Sequence, residues 1–392
     1  MANILVVIPS FYPATIYGGT IVSSYNTAKN LALLGHNVSV VTTNTNMYSR
    51  LDVECNKWIP MDGFRVKYFN ETIIDKLSLP FIFSMWKYIR KADIIHVQAI
   101  FNTPIPVALF YSMLFNKIVI LSPRGVMGDW ILNQGKKGKR LWLKFLIKPF
   151  LKNVVWHATS LQEKLEIIRH FPRANVEIIP NGINIKAYEG NAWMNQKDYL
   201  LKYTKQNFFE SQYVITSLGR IHKKKGFDIL IEGFYKLNHS NKILLIGGED
   251  EGELMKLMGL VKKLNLEDKV FFVGKVPSDS IKEFLIHSNV FALISHNENF
   301  GNVYAEALAC GLPIVASVNT PWNDVVKAGC GDIVNVELNE VANALENWVK
   351  YDKNQISTNA RGFVQQFSWE VMVQRFDQLI NELLSKNLVQ RK

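Results

Sequence analysis

The sequence predicts an α/β protein built from two doubly wound parallel sheets, and three observations predict it. Short, continuously apolar runs alternate with helical patterns along the whole chain, the signature of parallel strands covered on both faces. At 392 residues the chain is long for a single hydrophobic core. The alternation also restarts after a polar stretch over 191–212, which reads as irregular structure early in a second domain.

The elements follow in order. Asn3 to Ile8 reads as the first strand, and Thr20 to Leu34 as a helix ended by Gly35. Val38 to Thr43, Ile94 to Val97, Ile118 to Leu121 and His157 to Thr159 read as the remaining strands of the first half. In the second half Tyr213 to Leu218, Lys242 to Ile246, Val270 to Val273, Val290 to Ile294 and Ile314 to Ala316 read as strands. Helical patterns over Phe227 to Leu237, Leu254 to Leu264 and Ser280 to His287 separate them. The break between domains is expected near Pro172 to Asn175. This gives Rossmann-like domains over 1–175 and 176–368 and an amphipathic closing segment over 369–392. Two such domains bring the carboxyl ends of their strands to a shared cleft, where ligands bind.

Composition bounds the function classes. No run of about 18 apolar residues occurs, so no transmembrane helix is expected. The opening MANILVVIPS has no charged leader and enters a strand directly, so no signal peptide is expected. Cys55, Cys310 and Cys330 lack any paired spacing, which argues against a disulfide framework or zinc site and fits a reducing cytoplasm. The net charge of +11 points to an anionic partner: phosphates, anionic lipid or nucleic acid. No nucleic-acid motif accompanies the charge, so that partner is not expected.

The most informative stretch is Ser295 to Pro313. An apolar strand runs into a turn carrying Glu298, Phe300 and Gly301. A helix starts at Asn302 and Val303 and carries Glu306. A strand, a glycine-bearing turn and a helix start present backbone amides to a phosphate. Carboxylates there would repel phosphate but accept hydrogen bonds from hydroxyls, so the ligand expected is a nucleotide sugar. Gly219 to Gly226, GRIHKKKG, follows another strand. Arg220 and Lys225 suit a diphosphate, the one as a fork and the other as a point charge, while Lys223 and Lys224 read as a solvated turn. Gly18 and Gly19 open the first helix and permit close backbone approach, or form a plain turn. G-x-G-x-x-G and Walker A patterns are both missing.

His96 ends a strand, either facing the cleft or simply packed. Arg124, in Ser122-Pro123-Arg124-Gly125, is a strand-terminal cation suited to an acceptor or a phosphate. Trp130 offers a sugar-stacking face; an exposed arginine and a core tryptophan are the other reading. The span 130–162 holds seven Lys or Arg and no acidic residue, with Leu141, Trp142, Phe145, Leu146 and Phe150 between them. A basic helix with an apolar face over 136–152 suits an anionic membrane surface; packing on its own domain is the alternative. Glu249 to Glu251 reads as a solvated acidic loop.

Taken together, GGT at 18–20, DIIH at 93–96, IIPNGIN at 178–184, GRIHKKKG at 219–226, the Glu298–Glu306 pair and FSWE at 367–370 resemble the retaining glycosyltransferases of family GT4, with the GT-B fold. The resemblance covers nearly the whole chain. It implies that Glu298 contacts the donor sugar and Glu306 the ribose. Arg220 and Lys225 would bind the diphosphate, the 300–303 backbone its phosphates, and Gly19 the diphosphate and acceptor side. It implies a metal-independent enzyme with no cofactor, a uridine donor ahead of a guanosine one, and a closing helix that crosses back to the first domain. Many relatives read H-x-H where this chain has His96-Val97-Gln98, so either His96 or Gln98 would touch the sugar. SPRGV at 122–126 and TPW at 320–322 resemble enzymes of lipopolysaccharide, O-antigen, capsule or exopolysaccharide assembly. That implies a saccharide or polyprenyl-diphosphate-linked acceptor and a peripheral place on the inner membrane face. A nucleotide-sugar epimerase and a non-catalytic nucleotide-sugar or glycan-binding protein are the rival readings.

Overall fold

The computed structural model describes residues 1–47, 49–72, 77–128, 132 and 136–390. The chain forms two compact units, Met1–Gly182 with Trp369–Lys392, and Ile183–Ser368.

The first unit holds β1 (Asn3–Ser10), β2 (Asn37–Thr43), the short pair β3 (Thr45–Asn46) and β4 (Ser49–Arg50), β5 (Trp58–Met61), β6 (Phe64–Phe69), β7 (Ile94–Gln98), β8 (Ile118–Ser122), β9 (Val154–Ala158) and β10 (Asn175–Ile178). Eight of these form one sheet in the order β10-β9-β8-β7-β1-β2-β6-β5. Every pairing in it is parallel except β5 with β6. That hairpin turns at Asp62-Gly63, both at positive φ, an Asp-Gly signal readable in the sequence but absent from the expected strands.

Alternation along the strands sends Leu5 and Val7 into one core and Ile4, Val6 and Ile8 into the other. The second core also takes Trp369, Met372, Val373, Phe376 and Ile380 from the closing helix Trp369–Gln390. A Cβ at Gly182 would stand 2.4 Å from the Trp369 ring. The glycine of IIPNGIN and the tryptophan of FSWE are therefore one packing feature.

The second unit has β11 (Tyr213–Leu218), β12 (Lys242–Gly247), β13 (Val270–Gly274), β14 (Val290–Leu293), β15 (Ile314–Ser317) and β16 (Gly331–Val334). They form an all-parallel sheet in the order β13-β12-β11-β14-β15-β16, with α-helices between successive strands up to β15 and a 3₁₀ turn, Asn323–Val325, before β16.

Two expectations need correction. The break does not fall at 172–175: β10 pairs with β9 in the first sheet, and the first unit runs to Gly182. The stretch 191–212 is not wholly irregular either. It contains a helix, Gln196–Thr204, capped by Asn195, whose side chain accepts from the Asp198 amide at 2.9 Å. Tyr199 anchors that helix by donating its hydroxyl to the Phe284 carbonyl at 2.7 Å.

Candidate active site

In the second sheet the strand order reverses between β11 and β14, and loops at such a switch point hold the ligands of open α/β sheets. The loop after β11 carries Arg220 and Lys225. The loop after β14 carries Glu298. Gly226 draws them together: a Cβ there would stand 2.1 Å from the Ile294 carbonyl oxygen, and its φ of 63° suits glycine. The His296 amide donates to the Lys224 carbonyl at 2.8 Å.

The contact that results is Lys225 Nζ to Glu298 Oε2 at 2.5 Å, both side chains 15 % exposed. Burial pushes the Glu298 carboxyl up. The Lys225 charge and hydrogen bond, with Lys224 and Arg220 behind them, outweigh burial and hold it below its usual value. Arg220 lies further out. Its side chain is 61 % exposed and Nη1 donates to Glu251 Oε1 at 2.7 Å, and the acidic run 249–251 is exposed, as expected.

Gly301, at φ 74°, starts the helix Asn302–Ala309. A Cβ there would meet the Tyr304 ring at 2.6 Å and Glu298 Cγ at 2.8 Å, so only glycine lets the turn close against Glu298. Phe300 is buried, and its carbonyl accepts from Trp322 Nε1 at 2.6 Å. Phe300 and Trp322 therefore anchor the turn. Burial raises the Glu306 carboxyl to about 7 against a hydrogen bond from Tyr188 that lowers it. Oε2 of Glu306 is buried with no partner. Tyr188 belongs to no motif, so no sequence signal marked it.

In the first sheet the reversal lies between β1 and β7. Gly18 (φ 74°) caps the helix Gly19–Leu33. A Cβ at Gly18 would meet nothing within 4 Å, so backbone conformation alone calls for glycine there.

His96 is 2 % exposed and packs against Phe376 of the closing helix. Its Nε2 lies 2.9 Å from Ser122 Oγ, which lies 2.7 Å from His157 Nδ1. His157 Nε2 is 2.7 Å from the Ile179 carbonyl. That oxygen can only accept, so His157 carries its proton on Nε2 and Ser122 donates to Nδ1, while His96 Nε2 also lies 3.3 Å from Gln98 Nε2. Burial holds His157 down to about 3 and His96 well below its usual value, so both are neutral. Of the two readings of His96, the buried position supports the packed one: the residue ties three strands together. Gln98 is also buried.

Arg124 and Gly125 both have positive φ, 61° and 79°. Arg124 Nε donates to Gln98 Oε1 at 2.7 Å, and Nη1 to Asn181 Oδ1 at 3.1 Å. The Gly125 amide donates to Glu163 Oε1 at 2.7 Å. Glu163 is a residue the sequence reading missed, although Ser160-x-x-Glu163 is a legible capping box. Trp130 lies outside the described residues.

The basic segment is not one helix. Lys136–Trp142 is α-helical, Leu143–Ile147 a π turn and Lys148–Phe150 a 3₁₀ turn, where Pro149 cannot continue the i to i−4 bonding. Leu143 and Ile147 are buried and Trp142 Nε1 donates to the Ile100 carbonyl at 2.9 Å, while Leu141, Phe145 and Leu146 are exposed. The side chains of Lys136 and Lys137 lie outside the described residues. Among the described residues no helix is long and apolar enough to cross a membrane, and no three His, Cys, Asp or Glu are placed to hold a metal ion.

Residues 202–363 match the family Glycosyl transferases group 1, and residues 17–187 match Glycosyltransferase Family 4. The chain is 25 % identical over 319 residues to the N-acetyl-alpha-D-glucosaminyl L-malate synthase of Bacillus anthracis, covering 78 % of this chain and 77 % of that one. It is 26 % identical over 255 residues to a Campylobacter jejuni N-acetylgalactosamine-N,N'-diacetylbacillosaminyl-diphospho-undecaprenol 4-alpha-N-acetylgalactosaminyltransferase, covering 62 % of this chain and 64 % of that one. The fold is similar to that of Anabaena Alr3699/HepE, solved with UDP and glucose, at a TM-score of 0.75 and 20 % identity over 97 % of this chain and 100 % of that one. Two Rossmann-like sheets, a glycine-started helix beside a lysine–glutamate pair, and family matches across both units make this chain a member of the family 4, group 1 glycosyltransferases of GT-B fold.

Proposed function

We propose that this glycosyltransferase moves a sugar from a nucleoside-diphosphate sugar, UDP-linked rather than GDP-linked, to a saccharide or polyprenyl-diphosphate-linked acceptor in surface-polysaccharide assembly, with retention at the anomeric carbon and no metal ion. The observation that carries this reading is the Lys225–Glu298 pair at the switch point, beside the helix start at Gly301.

An ionised Glu298 accepts hydrogen bonds from sugar hydroxyls. Lys225, Arg220 and the amides of 301–303 meet the diphosphate, where negative charge grows as the sugar departs. Arg220 is free to turn inward, because an exposed ion pair such as Arg220–Glu251 is worth only about 0–1 kcal/mol. Glu306, with one buried oxygen unpartnered, suits the ribose hydroxyls. The UDP and glucose of the Anabaena structure and the undecaprenol-linked acceptor in the name of the Campylobacter relative support donor and acceptor classes of this kind.

A peripheral membrane position draws support from charge. Residues 77–162 contain twelve Lys or Arg against Asp93 and Asp129 alone. Exposed Phe83, Leu141 and Phe145 lie in the same stretch. Each basic residue near an anionic leaflet contributes about 1 kcal/mol.

The test is a thermal-shift panel of UDP, GDP and ADP with their sugars, in EDTA, on wild type and Arg220→Ala. A ligand that binds only the folded state raises the melting point. A rise with uridine nucleotides that Arg220→Ala diminishes is expected. No rise with any nucleotide at millimolar concentration overturns the reading.

A further inference from the structure

We propose that Arg124 forms an anion subsite in the first unit, taking a carboxylate or phosphate group carried by the acceptor. Naming the acceptor rests on the transferase reading; the subsite itself does not.

The argument begins with what surrounds the guanidinium. Nε and Nη1 each donate to one neutral amide oxygen, Gln98 Oε1 and Asn181 Oδ1. Nη2 is buried and has no partner. Burial lowers the group to about 10, which leaves it fully charged at neutral pH. A buried charge needs a counter-charge or a full set of hydrogen bonds, and Arg124 has neither. The carboxylate that acts on it is Glu163, yet both Glu163 oxygens are engaged elsewhere. Oε1 accepts from the Gly125 amide, and Oε2 from the Thr159 amide at 2.7 Å and hydroxyl at 2.8 Å. His96 and His157, the other titratable groups beside it, are neutral.

The backbone tells the same story. Arg124 is a non-glycine residue at φ 61°, a conformation that persists only where the surroundings hold it. Glu163 supplies that hold through Gly125, while Gln98 and Asn181 fix two edges of the guanidinium plane. The third edge is left over. Arg124 as a whole keeps partial exposure, so an oxygen can approach that plane. The place is also right for a ligand: Gln98 ends β7, and Arg124 follows β8, at the carboxyl ends of parallel strands. A planar fork with one unpartnered edge fits a carboxylate or phosphate and offers little to a neutral sugar.

The test uses the full-length chain carrying Arg220→Ala and Lys225→Ala, so that the second unit's cations do not compete. Inorganic phosphate and acetate are titrated separately by calorimetry at constant ionic strength, into this protein and into versions that add Arg124→Gln or Arg124→Lys. The expected result is binding that Arg124→Gln weakens by about tenfold or more, the scale of one charge-assisted hydrogen bond. Tighter phosphate assigns a phosphate-bearing acceptor, and tighter acetate a carboxylate-bearing one. Equal affinity with and without Arg124, in a variant whose circular dichroism is unchanged, overturns the subsite, as does binding of neither anion. Should Arg124→Gln not fold, Arg124→Lys decides. It keeps the charge and loses the fork, so weaker binding supports the subsite and unchanged binding overturns it. UDP is titrated into wild type alongside. Failure of UDP to bind while the Arg124-dependent anion binds counts against the transferase reading and leaves the subsite standing.

Discussion

Each unit sets cations just beyond the carboxyl ends of its parallel strands, and the two units balance that charge in opposite ways. In the second, Lys225 pairs with Glu298 and Arg220 with Glu251, each through a short contact to a carboxylate. In the first, Arg124 lies against two neutral amides, with one nitrogen unpartnered. The difference separates two kinds of readiness. A lysine–carboxylate pair keeps Glu298 ionised, which suits the proposed ligand with hydroxyls beside phosphates. A cation held by dipoles has no counter-charge of its own, which is the ground for the proposed anion subsite.

The largest effect is expected where the paired site is broken. Lys225→Ala should lower kcat by about 10² to 10³-fold, the scale of removing one fixed group that stabilises developing charge. It also strands Glu298 as a nearly buried carboxylate, which costs stability and lets its carboxyl rise from the depressed value that Lys225 maintains, so circular dichroism must confirm the fold. Steady-state kinetics with donor saturating checks this, and near-native kcat would remove Lys225 from the chemistry.

Glu306 sharpens the contrast within the second unit, because no cation offsets its burial. Its carboxyl stands at about 7 in the folded protein against 4.5 ordinarily. As pH rises from 4.5 to 7 the unfolded chain releases a proton that the folded one keeps. Folding stability therefore falls through that window and levels off above it. Glu306→Gln should match wild type near pH 4 and exceed it at pH 8 by up to roughly 3 kcal/mol, while UDP affinity falls. Denaturant unfolding at both pH values tests the first half and calorimetry the second.

Breaking the unpaired site should leave the donor alone. With Arg124→Gln, the acceptor KM should rise about tenfold or more while UDP affinity holds. A loss of UDP affinity instead would merge the two sites that the comparison separates. The smallest effect belongs to the basic surface. Lys144→Gln should weaken binding to anionic vesicles about fivefold at low salt, at about 1 kcal/mol for the one charge removed, and less at high salt. Vesicle sedimentation reads it, and unchanged binding would move the membrane surface elsewhere.

Much of the fold was legible because its signals are local. Continuous apolar runs marked β1, β2, β7, β8 and all of the second sheet except β16 to within a few residues. Glycines at positive φ marked the turns that carry the site, Gly226 and Gly301 above all. What escaped notice was shorter or more polar. The β5–β6 hairpin alternates around Asp62-Gly63, and the 196–204 helix opens on an Asn195 cap inside a charged stretch. The basic segment misled because its residues sort by burial only after Pro149 and the packing of Leu143 and Ile147 have broken the helix.

By itself the sequence determined which side chains the strand-end loops carry: the Lys225 cation, the Glu298 carboxylate and the Gly301 helix start. Each follows from backbone propensity within a few neighbours. Only the tertiary structure decided their partners. His96 lies inward under Phe376, on a strand buried along its whole length, where the sequence gives no sign of which side a residue takes. Arg124 meets Asn181, 57 residues away, Arg220 meets Glu251 across 31, and Tyr188 reaches Glu306 from another element entirely. Strand order sets those distances. It is fixed by how whole layers bury their apolar faces, so no stretch of sequence carries it alone.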